Sequence, residues 1–312
     1  MPSEPNSVTP PESQYDARVI DAEAGTPLTV QQLAERLADT DIVVVGEYHG
    51  HHASHLLPAR LQQALFHQNP RQVLTMEQFN VDHQDTLDRF LAGELGETEL
   101  IEDAEAWNNY RAAYRPLVEF ARRNQLPVIA ANAPADVVRC VGRKGPDYLE
   151  KLPPETRALL PETAFLDTLA YKEKFVEAIG GSHGIEDAEL SERMSNTYHA
   201  QLLRDNTMAR TILDARANHP EHQVLHTTGT FHSEERLGTV AVLEQRAPEV
   251  SIAVITPVFW PDGEDEVPLE ANRSKGDYLY FIQPLPEEFR DPEREREAMR
   301  ARFASRPSTN CE

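Results

Sequence analysis

The sequence predicts an α/β fold with a largely parallel central sheet, helices on both faces and a helical insertion. Short apolar runs alternate along the chain with longer segments in which Leu, Ala, Phe and Met recur at helical spacing. The apolar runs are continuous, which is typical of strands that are buried on both faces. Alternating strands and helices favour a parallel sheet, since parallel strands need a crossover connection. The predicted strands lie at residues 41–47, 72–78, 126–132, 222–229 and 250–258.

Helices are predicted between these strands. Thr29 and Gln32 have the spacing of a capping box, which predicts that an early helix begins at Thr29. The segment from about 144 to 200 has no strand signal, and we expect it to form the helical insertion that covers the sheet. Other helical spacing is found at residues 54–68, 81–93, 108–124 and 187–218.

The chain is predicted to consist of three segments. Residues 1–17 are rich in Pro and Ser and are predicted to be disordered, because they bury too little apolar surface. Residues 284–312 predict a charged helical tail, and residues 18–283 a single α/β domain. The two cysteines, Cys140 and Cys311, lie far apart and predict neither a disulfide framework nor a zinc site.

Charge and hydropathy exclude some partners. The chain has 52 Asp and Glu against 30 Lys and Arg, a net charge of -22, and no basic stripe that could neutralise phosphates. We therefore expect no nucleic-acid partner. No apolar stretch is long enough to span a bilayer, and the first residues lack the features of a signal peptide. As written, the chain is predicted to be cytoplasmic; it would be periplasmic or membrane-anchored if a signal segment had been removed.

Histidine and glutamate side chains follow the ends of three predicted strands. Glu47 and His49 follow the first strand in "VVVGEYHGHHASH", and Glu77 follows the second in "LTMEQF". His232 completes a later Gly-x-x-His pattern that begins at Gly229. Ligands collect at the carboxyl ends of parallel strands, so we predict that these side chains converge on one crevice.

Imidazoles and carboxylates at such a crevice allow two kinds of chemistry. Glu47, His49, Glu77 and His232 could act as acids and bases near neutral pH. Alternatively, His49, Glu77 and His232 could hold a divalent metal such as Mn or Zn that activates water.

The order of six motifs resembles the ChaN family of haem-binding uptake proteins, within the Tiki and erythromycin esterase-like superfamily. The motifs are "GEYHGHHASH", "LTMEQF", "AYRPLVEFA", "LPVIAANAP", "RDNTMA" and "GTFH", and the resemblance covers roughly residues 18–257. It implies an α/β fold with helical cover and haem binding linked to iron acquisition. Related branches of the superfamily are hydrolases, either esterases or metalloproteases with paired Gly-x-x-His motifs.

The resemblance carries over to individual residues. Glu47 and His49 match the first motif, and His55 matches the histidine at the start of the following helix. Glu77 matches the glutamate after the second strand, and His232 matches the late Gly-x-x-His motif.

Two functions therefore compete, with a scaffold that binds a partner through its acidic surface as a third. A haem protein needs an axial Tyr or His ligand, and we predict Tyr48, His55 and Tyr114 as cofactor-binding residues. We rank haem or iron handling first and hydrolysis of an ester or peptide second. The expected partner is haem or another small molecule, and the assembly could be a homodimer. Further candidate ligands are His51, His52 and Tyr110.

Overall fold

The computed structural model describes residues 8–180, 192–304 and 310–312, and one eight-stranded sheet forms its centre. The strand order is β2-β1-β8-β7-β3-β6-β4-β5. Strands from β8 to β5 in this order pair in parallel, whereas β1 pairs antiparallel with β2 and β8. The predicted, largely parallel sheet is therefore confirmed. The strands are β1 (Arg18–Asp21), β2 (Pro27–Leu28), β3 (Ile42–Glu47), β4 (Gln72–Asn80), β5 (Val128–Asn132), β6 (Gln223–Gly229), β7 (Ile252–Phe259) and β8 (Tyr278–Ile282).

The described helices surround this sheet. The capping box is confirmed, since the Thr29 hydroxyl accepts from the Gln32 amide (3.1 Å) and Gln32 Oε1 accepts from the Thr29 amide (2.9 Å). The helices are α1 (Val30–Arg36), α2 (His52–Gln68), α3 (Gln84–Leu91), α4 (Glu97–Asp103), α5 (Tyr110–Ala113), α6 (Arg115–Arg123), α7 (Ala135–Lys144), α8 (Pro154–Ala158), α9 (Leu169–Gly180), α10 (Glu192–Asn218), α11 (Thr239–Arg246) and α12 (Pro292–Ala304).

The helix predicted at 108–124 is divided into α5 and α6 at Tyr114. Pro116 lies in the first turn of α6, where a helix needs no N–H donor. In the middle of one continuous helix, its missing N–H would have removed a hydrogen bond. The predicted insertion is helical in its described part, which contains α8, α9 and the start of α10 but no strand. Residues 181–191, which include the start of the helix predicted at 187–218, lie outside the described residues.

Two apolar layers pack on opposite faces of the sheet. Val43 and Val45 face the layer that α1 to α6 cover. Ile42 and Val44 face the other layer, where residues of α10 and α11 pack. Successive side chains of a strand point to opposite faces, so a continuous apolar run is what a sheet with two covered faces requires.

A disulfide joins Cys140 of α7 to Cys311, with the two Cα atoms 5.4 Å apart. Both residues are buried. The expectation that the cysteines form no disulfide framework is therefore wrong. A disulfide depends on the distance between two Cα atoms in the fold, and a sequence separation of 171 residues does not reveal that distance.

Segments before β1 and after β8 close over the start of α2. The carbonyl of Gln14 accepts a hydrogen bond from the Ala53 amide (2.8 Å), and its side chain donates to the Pro284 carbonyl (2.9 Å). The Gln283 carbonyl accepts from His51 Nε2 (2.8 Å). Gln14 belongs to the segment predicted to be disordered, of which residues 1–7 are outside the described part.

None of the described helices is both long enough and apolar enough to cross a bilayer.

Candidate functional site

The four residues predicted to share a crevice lie together at the carboxyl ends of the central strands. Strands β3, β6 and β4 are neighbours, and Glu47 at the end of β3 is in register with Gly229 at the end of β6. Glu77 lies in β4, His49 lies two residues beyond β3, and His232 lies in a short 3-10 turn directly after β6. The carboxyl ends of three central strands thus position the site, as expected for a parallel sheet.

Glu47 is the buried acceptor at the centre of one hydrogen-bond network. Its Oε1 accepts from the Tyr114 hydroxyl (2.6 Å) and from Gln78 Nε2 (3.0 Å). His49 Nδ1 is 2.9 Å from the same oxygen. Tyr114 can reach this carboxylate because it occupies the break between α5 and α6. A carboxylate with this many donors is held in one orientation.

His55 contacts the other oxygen of Glu47. Its Nε2 accepts from the Gly50 amide (3.0 Å), so the proton is on Nδ1, which lies 3.3 Å from Glu47 Oε2. Burial alone would raise the pKa of Glu47, but the contacts with His49 and His55 outweigh burial and lower this pKa to about 2. Glu47 is therefore ionised at neutral pH.

Glu77 is the second buried carboxylate of the crevice. Its Oε2 accepts from the Gly229 amide (2.7 Å) and the Thr228 hydroxyl (2.8 Å). Its Oε1 lies 3.6 Å from His232 Nε2. Burial acts to raise the pKa of Glu77, but the nearby His232 and His49 help to lower it below its usual value.

Asp205 of α10 orients His232 from the other side. Its Oδ1 accepts from His232 Nδ1 (2.7 Å) and from the Thr239 hydroxyl (2.9 Å), and its Oδ2 accepts from the Tyr171 hydroxyl (2.7 Å). Burial acts to lower the pKa of His232, but Asp205 and Glu77 outweigh it and raise this pKa. Sequence reasoning missed Asp205. The signal was a carboxylate in the motif "RDNTMA", on the same helix face as Leu202 and Met208, which lie three residues before and after it.

His49 is the open member of the site. Its side chain is 45% exposed, and its ring meets Trp107 edge to face with centroids 4.8 Å apart. A Cβ atom at position 229 would lie only 2.9 Å from His49 Nε2, so a side chain there would displace the His49 ring from its present position. Burial would lower the pKa of His49, but Glu47 and Glu77 raise it.

The metal set predicted from sequence, namely His49, Glu77 and His232, is not supported. Within the described residues, no group of three or more His, Cys, Asp or Glu side chains is arranged to hold a metal ion. One donor atom each of His232 and Glu77 is already used within the protein. Asp205 occupies His232 Nδ1, and backbone and hydroxyl donors occupy Glu77 Oε2.

Of the three predicted cofactor-binding residues, His55 and Tyr114 are in ring contact, with centroids 5.1 Å apart, and Tyr48 packs elsewhere on Phe259. Tyr114 is fully buried, and its hydroxyl donates to Glu47. Both ring nitrogens of His55 face partners, as described above. Tyr48 stacks on Phe259 with centroids 4.4 Å apart, and burial, with a smaller effect of Glu234, raises its pKa to about 12.

A cavity of about 210 Å³ lies between the start of α2 and the α5–α6 break. His55 forms part of its wall, and His52 stands beside it on the exposed face of α2. The rings of Tyr15 and His52 stack with centroids 4.9 Å apart. The lining residues are Tyr15, Gly50, His52, His55, Leu56, Ala59, Asn109, Ala112, Ala113 and Pro116.

Two solved structures resemble this chain to different degrees. One solved structure, entitled cofacial heme binding to ChaN of Campylobacter jejuni, is 16% identical with a TM-score of 0.65, covering 86% of this chain and 98% of that one. An erythromycin esterase variant in its open conformation is 13% identical with a TM-score of 0.46, covering 92% and 87%. No functionally curated protein matches the sequence.

A family model described as haem-binding uptake, Tiki superfamily, ChaN matches residues 33–243. This range runs from α1 to α11, so it contains the three site strands and every predicted site residue. The resemblance inferred from the motifs is confirmed, and the chain belongs to the ChaN family of the Tiki superfamily.

Proposed function

We propose that this protein binds haem and serves haem or iron uptake or handling. The observation that carries the proposal is the family match over residues 33–243, which spans the core of the fold and the whole candidate site. The similar fold of ChaN from Campylobacter jejuni supports it.

The residues of the fold fit this cofactor. A porphyrin needs an apolar surface and an axial His or Tyr, and the cavity beside α2 has mainly small apolar walls with imidazoles at its edge. Haem would supply the iron, and the chain would supply the ligand and the apolar seat. The contacts of buried Glu47 would hold His55, which forms part of the cavity wall, in one position.

Adding haem to the purified protein should produce a Soret shift that saturates as the site fills. Because haem would bind the folded state, unfolding should become harder by about 2.7 kcal/mol at a free haem concentration one hundred times Kd. Absorbance titration and thermal melts check the two expectations. An unrelated acidic protein of similar size is the control, and an identical titration with that protein would exclude specific haem binding.

Hydrolysis is a second candidate, and one observation favours it. The site contains two carboxylate–imidazole pairs, Glu47 with His49 and Asp205 with His232. Both pairs lie beside Glu77, at the carboxyl ends of the central strands. An imidazole held by a carboxylate is a suitable general base, and the open side of His49 gives substrate a way in. Since the described residues form no metal cluster, the acid–base version is the one we propose.

If the site is hydrolytic, His49→Ala and His232→Asn should each slow turnover of an ester or peptide substrate. The expected loss is about 10²- to 10⁴-fold, the usual contribution of a general acid or base. A chelator should have no effect on the wild type. His67→Ala, at an exposed histidine near the end of α2, is the matched control and should retain full activity. Equal background rates for all four proteins over a broad substrate panel would remove the enzyme hypothesis.

We also propose that the protein works in an oxidising compartment, the periplasm or the cell surface, and not in the cytoplasm. The disulfide between Cys140 and Cys311 supports this location, because structural disulfides are rare where thiols are kept reduced. Detection of the oxidised protein in a periplasmic fraction of the native cells would test it.

A further inference from the structure

We propose that Arg204 of α10 forms a binding site for an oxyanion, a carboxylate or a phosphate group, on the β5 side of the crevice. Asn132 at the end of β5 orients its guanidinium, and Arg139 of α7 adds a second positive charge. The site follows from the contacts of these side chains and depends on neither proposed function. The substrate class that it implies rests on the proposed hydrolysis.

The position of Arg204 on α10 directs its side chain to the crevice. Gln201 and Met208 lie three residues before it and four residues after it, and therefore on the same face of the helix. Gln201 Nε2 is 3.3 Å from each ring nitrogen of His232. Met208 Sδ accepts a weak hydrogen bond from the Thr228 hydroxyl (3.9 Å). Arg204 lies between these two contacts, so it faces the same strand ends.

The guanidinium of Arg204 has a neutral acceptor and no ion pair among the described residues. Its Nη1 donates to Asn132 Oδ1 (3.1 Å), and Asn132 Nδ2 donates to the Glu77 carbonyl (3.0 Å), which fixes the orientation of the amide. The other N–H groups of Arg204 have no acceptor in the described part of the chain. The side chain is only partly exposed, and burial lowers its pKa. An oxyanion would supply the missing acceptors and offset the cost of burying the charge.

The carboxylates nearest to Arg204 are used elsewhere. Glu77 and Asp205 attract its charge and act to raise its pKa, yet the ion pairs that they form are with His232. Both oxygens of Asp205 accept from other side chains, and Glu77 Oε2 accepts two hydrogen bonds from the end of β6. The guanidinium therefore remains available to a ligand.

Arg139 brings a second guanidinium close to the first. It lies on α7, which packs against α10, and its charge adds to the effect of burial in lowering the pKa of Arg204. Arg139 Nη2 donates to the exposed Asp136, but its Nε is buried and has no hydrogen-bond partner in the described part of the chain. Two like charges repel each other, and a bound anion offsets this repulsion.

The chemistry of arginine selects the kind of anion. A guanidinium presents a planar fork of N–H donors that matches two oxygens of one carboxylate or phosphate group. The protein has a net charge of -22, so most of its surface repels such a group, whereas paired arginines attract it locally. We therefore expect a small oxyanion, or the acidic end of a larger ligand, to bind at Arg204.

Anion binding is tested by titrating the protein with sodium phosphate and, separately, with sodium acetate, while sodium chloride keeps the ionic strength constant. The Nε resonance of Arg204, assigned by its loss in Arg204→Gln, should shift and saturate in the wild type. Arg204→Gln should weaken binding by about tenfold or more, because charge-assisted hydrogen bonds are lost. Arg193→Gln, at an exposed arginine near the start of α10, is the matched control and should bind as the wild type does.

Arg204→Lys is a second variant, and circular dichroism verifies that both variants fold. Lysine keeps the charge but lacks the planar fork, so this variant should bind more weakly than the wild type and more tightly than Arg204→Gln. Tighter binding of acetate or of phosphate identifies the preferred oxyanion. If neither salt gives a saturable response in the wild type, or if Arg204→Gln binds equally well, the site is wrong and Arg204 only balances the charges of Glu77 and Asp205.

For the proposed hydrolysis, the site implies a substrate that carries a free acidic group. The 4-nitrophenyl ester of acetate and the mono-4-nitrophenyl ester of succinate form a matched pair, without and with a free carboxylate. Arg204→Gln should raise KM for the succinate ester by about tenfold relative to KM for the acetate ester, and Arg193→Gln should leave this ratio unchanged. Equal changes for both esters in Arg204→Gln would overturn the substrate class. If the wild type hydrolyses neither ester, the hydrolysis and its substrate class are wrong, and the anion titration still decides the oxyanion site.

Discussion

Substituting Glu47 with leucine is expected to lower the free energy of unfolding by about 3–5 kcal/mol, the usual effect of removing one partner from a buried charged pair. The Tyr114 hydroxyl and Gln78 amide would lose their acceptor at a buried position. The side chain of Glu47 is almost fully buried, so solvent screening is weak. Urea denaturation at pH 7 measures the change.

The titration of Glu47 should also make the free energy of unfolding depend on pH in the acidic range. The pKa of Glu47 is about 2 in the folded protein against an ordinary value of 4.5, so its stabilising effect is complete above about pH 4.5. As the pH falls from 4.5 through 2, about 3 kcal/mol should be lost. Glu47→Gln, which keeps the shape but does not titrate, should lack this part of the acid dependence. Parallel pH profiles for the wild type and Glu47→Gln would contradict the depressed pKa.

Reduction of the Cys140–Cys311 disulfide should have an effect of comparable size. A bridge across 171 residues restricts the unfolded chain strongly, and the chain-entropy model gives about 5 kcal/mol for a loop of this length. Unfolding in urea should therefore move to lower concentration when a strong reductant is present. Cys311→Ser is the control, because reductant should not destabilise that variant any further.

Two free thiols in the native, unreduced protein would contradict this prediction. Mass spectrometry after alkylation without reductant distinguishes the cases directly. A bridged protein whose unfolding midpoint is insensitive to reductant would instead mean that the C-terminus contributes little constraint.

The part of the site that lies on strand ends could be predicted from the sequence. A continuous apolar run that ends in Glu47 or Glu77 indicates both a buried strand and the end at which a polar side chain emerges. Neighbouring parallel strands have their carboxyl ends on the same side of the sheet. This rule predicts the convergence of Glu47, His49, Glu77 and His232. The parallel strands β3 to β7 were predictable for the same reason.

Other features depend on contacts between distant segments, and no local pattern reveals those contacts. Strand β2 has two residues and β1 has four, which is too short for a periodic signal. Asp205 becomes a partner of His232 only because α10 packs across the sheet. Tyr114 was predicted as a cofactor ligand, but the break before α6 turns its hydroxyl towards Glu47.

The closure of both chain ends over α2 determines how far the protein could be shortened. A chain starting at β1 would remove Gln14, whose carbonyl holds the Ala53 amide, together with the Tyr15 ring beside His52. A chain ending at β8 would remove Gln283, the acceptor of His51. Either truncation leaves the sheet intact and frees the first turn of α2. The boundaries of the smallest functional unit are therefore wider than those of its sheet.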